Sequence, residues 1–323
     1  MADAAPSAAS LDRLEAAMAS LASMDSVLHG THLRLDAFHA SMLFKLDLIS
    51  QQLDSMIFRQ RSPRLDISNN QLTGEIPKRI GLLHELEYLS LEENYLEGDI
   101  TESHLTNLSK LKVLGITDNS LSLKFGTIPN LPIKLHTKSY GTSIILNSNQ
   151  FEGRIPNFLS QAWTLDLSEN KISDINSFLC GKNATTYLYT LDLSNNEIMG
   201  QLPDYWDDLN SLEYLDLSNN KLSGKIPQSM GTLVYLQALV LRNNSLIGEL
   251  AFMLKNCTHL DILDVSQNLL SGQIPSWIGE SQDYEFWNPE YILKSIDLSS
   301  NDLSAEIPKE VGYLFGLVSL NLA

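Results

Sequence analysis

The chain has 323 residues, 43% hydrophobic and 19% charged, a globular rather than a disordered composition. Its 39 acidic side chains outweigh 22 basic ones for a net charge of −17, a balance that repels phosphate backbones and excludes non-specific nucleic-acid binding. No run of 18 apolar residues could span a bilayer, the acidic start Met1-Ala2-Asp3 leads into no apolar leader, and two cysteines cannot build a disulfide framework.

Residues 1–62 form a segment of their own. With Leu11 as position a of a heptad, all seven d positions are apolar: Leu14, Leu21, Leu28, Leu35, Met42, Ile49 and Met56. That 3.5-residue spacing predicts a helical seam over residues 11–57, with Ser10 as N-cap and Ser62-Pro63 as stop. Asp25, His32 and His39 at a positions weaken its middle, and Gly30 can break it into a hairpin. Three readings stay open. The segment is a coiled coil through which the chain self-associates, a cap folded over the first apolar residues that follow, or a fused segment without function.

From residue 63 the sequence repeats. Leu-x-Leu-x-x-Asn, with conservative apolar replacements, recurs with its asparagine at 70, 94, 119, 149, 170, 196, 220, 244, 268 and 301, at spacings of 24, 25, 30, 21, 26, 24, 24, 24 and 33 residues. Such a period belongs to leucine-rich repeats, and the fold expected is an α/β solenoid of about ten coils with parallel strands on its concave face. Leu191 and Leu193 point inward from a short strand while Asp192 and Ser194 face out. Each asparagine is expected to turn inward and bond backbone groups of neighbouring coils that no sheet ladder reaches. Four residues after the asparagine stands Gly74, Gly98, Gly153, Gly200, Gly224, Gly248 or Gly272, a place for unusual backbone angles. Ile-Pro or Leu-Pro follows in most copies, so the outer half of a coil holds short extended or helical turns. The array divides into repeats over 63–279, an acidic, aromatic insertion over 280–294 with Tyr284, Phe286 and Trp287, and a final repeat over 295–323.

The unit Leu215-Asp216-Leu217-Ser218-Asn219-Asn220-Lys221-Leu222-Ser223-Gly224-Lys225-Ile226-Pro227 resembles the plant-specific leucine-rich repeat. Phe178-Leu179-Cys180, Leu202-Pro203-Asp204-Tyr205-Trp206, Ser229-Met230-Gly231, Asn256-Cys257-Thr258 and Ser276-Trp277-Ile278-Gly279 follow one another at one-coil intervals. This order is similar to the C-terminal half of plant receptor-like proteins, including fungal-xylanase receptors and disease-resistance ectodomains. The resemblance implies an extracellular solenoid at the plasma membrane that recognises a pathogen- or peptide-derived ligand and signals through co-receptor kinases. The family's leader, cysteine-bearing cap and membrane helix have no counterpart here. Taken literally, the chain reads as truncated at both ends and cytosolic. The family also has cysteine where Tyr205 stands, which leaves Cys180 without its partner. Cys257 lies about three coils away, roughly 15 Å at 4.8 Å per strand, too far for a bridge, so both thiols are expected free.

No catalytic constellation emerges, so no enzyme and no cofactor are expected. A phosphate loop followed by a kinase lysine is missing, and the seven histidines stand at no metal-ligand spacing with the cysteines. Recognition falls instead to the outward strand residues, with Asp192, Asp216 and Asp264 of the Leu-Asp-Leu-Ser consensus, and Tyr88, Glu92, Tyr214, Val240, Arg242 and Ile262 breaking it. An acidic face of this kind suits a basic peptide or protein ligand. Of four Asn-x-Ser/Thr sequons, Asn107, Asn183 and Asn256 are glycosylation candidates, whereas Asn243 sits on the strand face and is expected to stay bare. Two alternatives come from other classes: a cytosolic scaffold assembled by the coiled coil, and a soluble inhibitor of microbial cell-wall hydrolases.

Overall fold

The computed structural model describes residues 63–105, 107–124, 141–179, 187–279, 293–304, 306–314 and 316–323. All of the described residues fall within one compact unit, Leu53–Ala323. The helical seam of residues 11–57, the aromatic stretch from Glu280 to Glu290, Cys180 and Asn183 lie outside the described residues.

Each repeat makes one three-residue strand, and the eleven strands from Arg64–Asp66 to Ser319–Asn321 form a single parallel sheet in chain order. The ten asparagine-marked coils account for ten of them, and Ser319–Asn321 adds the eleventh. The pairing is in register along the whole sheet, so Leu65 meets Leu89, Leu191 meets Leu215, and Leu263 meets Ile296. From Leu65 to Ile296 this central row is buried: Leu89 is 2% exposed, and Leu165, Leu191, Leu215, Leu239 and Leu263 are fully covered, whereas Leu320 in the last strand is 39% exposed. The apolar alternation thus becomes a continuous ladder of aliphatic side chains, and the residues on either side of it face out.

The asparagines tie coil to coil. Asn196 Nδ2 donates to Leu167 O of the preceding coil at 2.9 Å and to Leu193 O and Ser194 O of its own, while its Oδ1 accepts from Ile172 N at 2.9 Å. The same pattern runs from Asn94 to Asn301. Directly before each ladder asparagine the backbone enters the left-handed region, with φ between 50° and 55° at Asn69, Glu93, Asp118, Glu169, Asn195, Asn219, Asn243 and their equivalents. Asparagine and aspartate tolerate that region best, which explains the Asn-Asn pairs.

In the outer half, all seven predicted glycines take positive φ, from 74° at Gly224 to 88° at Gly98 and Gly200. They sit in short strands, such as Met199–Gln201, Lys221–Gly224 and Ser245–Gly248, that build secondary parallel sheets. Short 3-10 helices follow, including Lys78–Leu82, Gln228–Thr232 and Lys309–Tyr313, each entered from an extended or near-extended proline: Pro77, Pro227 and Pro308. Proline at the helix entry lacks only a donor that would be unsatisfied there anyway. His104, set aside in the sequence, is a further tie. Its Nδ1 accepts from Thr101 N at 3.0 Å, and its Nε2 lies 2.9 Å from Ile76 O of the preceding coil, which fixes the neutral tautomer with the proton on Nε2. Cys257 is a free, buried thiol, as expected, with Sγ against Met230 O and its pKa pushed up to about 12 by burial.

Candidate functional site: the outward face of the long sheet

Two outward rows flank the buried ladder. The first runs Arg64, Tyr88, Val113, Ser143, Thr164, Thr190, Tyr214, Ala238, Ile262, Ser295 and Ser319. The second runs Asp66, Ser90, Gly115, Ile145, Asp166, Asp192, Asp216, Val240, Asp264, Asp297 and Asn321. Neighbouring strands in a sheet lie about 4.8 Å apart, so side chains in one row are direct neighbours. Asp166, Asp192 and Asp216 therefore form an unbroken carboxylate run, and Val240 separates it from Asp264 and Asp297. Ala238, Val240 and Ile262, the last 41% exposed, make a small apolar notch between the two acidic stretches.

The aspartates have one job already. Oδ1 of Asp166, Asp192 and Asp216 accepts the backbone N–H two residues on, from Ser168 at 2.9 Å, Ser194 at 2.9 Å and Ser218 at 2.8 Å. This Asx-type turn shapes the strand exit and explains the Asp-Leu-Ser consensus locally. The second carboxylate oxygen of Asp216 accepts the Tyr214 hydroxyl at 3.2 Å.

Asp192, in the centre of the run, is the perturbed group. Burial pushes its carboxyl up to about 6, hydrogen bonds from Ser194 pull it down, and the charges of Asp216 and Asp166 push it further up. The Tyr214 hydroxyl is also raised, first by burial and then by Asp216 and Asp192. Because the folded state binds the Asp192 proton more tightly than an unfolded chain does, its contribution to stability is complete below about pH 4 and is lost as pH rises through about 6. Asp192→Asn should therefore stabilise the array by about 1 kcal/mol at pH 7.5, after allowance for solvent screening of this half-buried group, and by almost nothing at pH 4. Urea denaturation at the two pH values checks this; equal gains at both would show that charge is not the cause.

The other expected site residues are distributed along the face. Tyr88 lies under the Arg64 guanidinium, whose carbon is 3.9 Å from the ring centroid. Glu92 leans across Gly115 on the next strand, where any side chain would collide with it; burial raises its carboxyl, and Asp66, Glu93 and Asp118 add to the rise. Arg242 is exposed and reaches Gln267 Oε1 at 3.5 Å. Arg64 and Arg242 both lie on the long-sheet side. Glu93, Asp118 and Glu169 occupy the left-handed strand exits rather than the two rows. The structure thus brings Asp192, Tyr214, Asp216, Val240, Ile262 and Asp264 into one continuous patch and leaves Tyr88 and Glu92 toward the first coils. The Asn107 side of its coil is exposed, Asn256 is half-buried at the end of the 3-10 helix Phe252–Asn256, and Asn243 donates to Asn219 Oδ1 at 2.8 Å on the strand face.

The position just before each strand also carries side chains that meet across coils. There Trp163 and Tyr189 pack with ring centroids 4.8 Å apart, and Lys112 and Lys294 pair with Glu87 and Asp261 of the preceding coil at 2.7 and 2.6 Å. Their signal was their one-coil spacing. Among the described residues no cluster of histidine, cysteine and carboxylate side chains suits a metal ion, and no helix is long and apolar enough to cross a membrane.

Models of the leucine-rich repeat match residues 64–83, 186–246, 259–281 and 293–314. The array is a leucine-rich-repeat solenoid. Its curated relatives are plant receptor-like proteins, as the motif order implied. Receptor-like protein 54 of Arabidopsis thaliana is 29% identical over 153 residues, 46% of this chain and 18% of the relative. Receptor-like protein EIX1 of Solanum lycopersicum is 28% identical over 202 residues, 54% of this chain and 20% of the relative. The chain thus spans about a fifth of the length of these relatives. Among solved structures, the leucine-rich-repeat ectodomain of the Arabidopsis receptor kinase HAESA in complex with an IDA peptide hormone matches with a TM-score of 0.61 and 29% identity, over 82% of this chain and 42% of that one.

Proposed function

We propose that this leucine-rich-repeat array is the ligand-recognition part of a plant receptor-like protein, that it binds a peptide or protein ligand without catalysis, and that it signals through partner kinases in defence or peptide perception. The observation that carries the reading is the register of the long sheet. It holds the side chains that depart from the repeat consensus, Tyr214, Val240 and Ile262, beside Asp192, Asp216 and Asp264 on one preformed surface. A rigid face loses little freedom on binding, and its negative field attracts basic ligands. The peptide complex of the HAESA ectodomain supports a peptide as occupant. An extracellular location, with glycans on Asn107, Asn183 and Asn256, belongs to the same reading.

The test is selection from a randomised peptide display library on the full chain. Enriched peptides should lose binding when Asp192, Asp216 and Asp264 are reversed to lysine, and keep it when the exposed outer-half residues Asp207, Asp208 and Asp302 are reversed instead. Equal losses in both variants would remove the long sheet as the recognition surface.

A further inference from the structure

At its first two coils the protein holds one of its own guanidinium groups on this face. Arg64 lies over the Tyr88 ring at 3.9 Å and donates from Nη2 to Asp66 Oδ2 at 2.8 Å. The register places Arg64 opposite Tyr88, with Asp66 two residues on along its own strand. The coil pair at the centre of the sheet repeats this cradle in part. Thr190 lies opposite Tyr214, and Asp192 stands two residues on from Thr190. Tyr214 thus occupies the place of Tyr88, Asp192 the place of Asp66, and the short hydroxyl of Thr190 the place of the Arg64 side chain. The aromatic ring and the carboxylate are both present, without the guanidinium between them. The centre is also more acidic than the first coils, because Asp166 and Asp216 flank Asp192 on adjacent strands. Among the described residues, no ion pair joins these three carboxylates to a lysine or arginine of the chain.

From this internal precedent we infer that Tyr214 and Asp192, flanked by Asp166 and Asp216, form a binding site for an arginine side chain of the ligand. The inference rests on the reading of the long sheet as the recognition surface. A guanidinium fits better than an ammonium. Its plane stacks on a tyrosine ring while its forked N–H groups reach carboxylates at the ring's edge, whereas an ammonium is a point charge without a stacking face. Burial and like charge hold Asp192 at a raised pKa of about 6, and a bound cation offsets the like charge of Asp166 and Asp216. The apolar notch of Ala238, Val240 and Ile262 begins one coil further on. Its centre is two coils away, about 9.6 Å, and an extended peptide covers that in roughly three residues. The ligand segment expected is therefore an arginine with an apolar residue about three positions away.

The display library distinguishes this site from the general reading. Enriched peptides should carry that arginine–apolar spacing. In a representative peptide, Arg→Lys should weaken binding to the full chain about tenfold, and Asp192→Asn or Tyr214→Leu in the chain should do the same. Asp302→Asn, which removes an equal charge from the exposed outer half of a coil and away from the long sheet, should change affinity by less than about threefold. Urea denaturation confirms that each variant is folded, and Asp192→Asn, expected to be at least as stable as the parent, keeps the test valid if Tyr214→Leu is not. If peptides depend on the long sheet but accept lysine equally, or bind both site variants unchanged, the arginine site is wrong while the recognition surface stands. If no peptide depends on the long sheet, both fall.

Discussion

Alanine at Asn196 should lower stability by about 3 kcal/mol and split the unfolding of the array into two transitions. The amide satisfies four backbone groups at once, and alanine removes every one of those bonds. The acceptors Leu167 O and Leu193 O keep the amides of Asn170 and Asn220. Ile172 N–H has no such substitute and becomes an orphan donor beside a new cavity in the core. An orphaned buried N–H is destabilising by about 1–3 kcal/mol, with the cavity and the lost bonds in addition. Because each coil contacts only its neighbours, a weakened junction uncouples the array on either side rather than lowering all coils equally. Asn70→Ala is the control: that side chain is exposed and bonds Ile67 O and Ser68 O of its own coil, so its loss should be within about 1 kcal/mol. Hydrogen exchange along the chain reads both results, and a single cooperative transition in Asn196→Ala would refute the uncoupling.

The inward half of this architecture is legible because it is built from strict local requirements. Only an aliphatic side chain fits the buried row, and only an amide both donates to carbonyls and accepts the N–H of the preceding coil. Leu191, Leu193 and Asn196 therefore appear in the sequence as a repeat before any contact is known. The face is less legible, because its chemistry depends on lateral neighbours. Arg64 and Tyr88 are 24 residues apart and Trp163 and Tyr189 are 26 apart, and they meet only because every coil absorbs its extra length in the outer half and keeps the strand register fixed. The acidic consensus also conceals two roles under one residue type. Asp66 is neutralised by Arg64, and Asp192 is perturbed first by its burial and then by two like charges on adjacent strands. Glu93 and Asp118 answer to a third requirement, the left-handed strand exit, where backbone angle rather than charge selects the residue.

The glycine of the Met230-Gly231 pair carried no physical reason in the sequence, and the structure supplies one that bears on recognition. Gly231 is buried in the 3-10 helix Gln228–Thr232, where an added Cβ would lie 2.5 Å from Met253 O and 2.7 Å from Met253 Cβ of the next coil. Gly81 and Gly279 meet the backbone of Ser103 and Glu310 in the same way. These close approaches set the coil spacing on the outer side, as the asparagine ladder does on the inner side. Gly231→Ala must therefore push two coils apart against backbone that cannot rotate away, an overpacking expected to be destabilising by about 2 kcal/mol. Gly153→Ala is the contrasting substitution. Its φ of 78° is strained for alanine, yet nothing lies within 4 Å of the added carbon, so the loss should be nearer 1 kcal/mol. The two substitutions should also differ at a distance. Wedging the outer side at Gly231 alters the angle between the coils that carry Tyr214, Val240 and Ile262, so peptides selected on the native face should bind that variant more weakly at temperatures where it remains folded. Gly153→Ala, four coils from Val240, should leave them unaffected. Equal affinity in the two variants would mean that the spacing of the outer coils is not transmitted to the face.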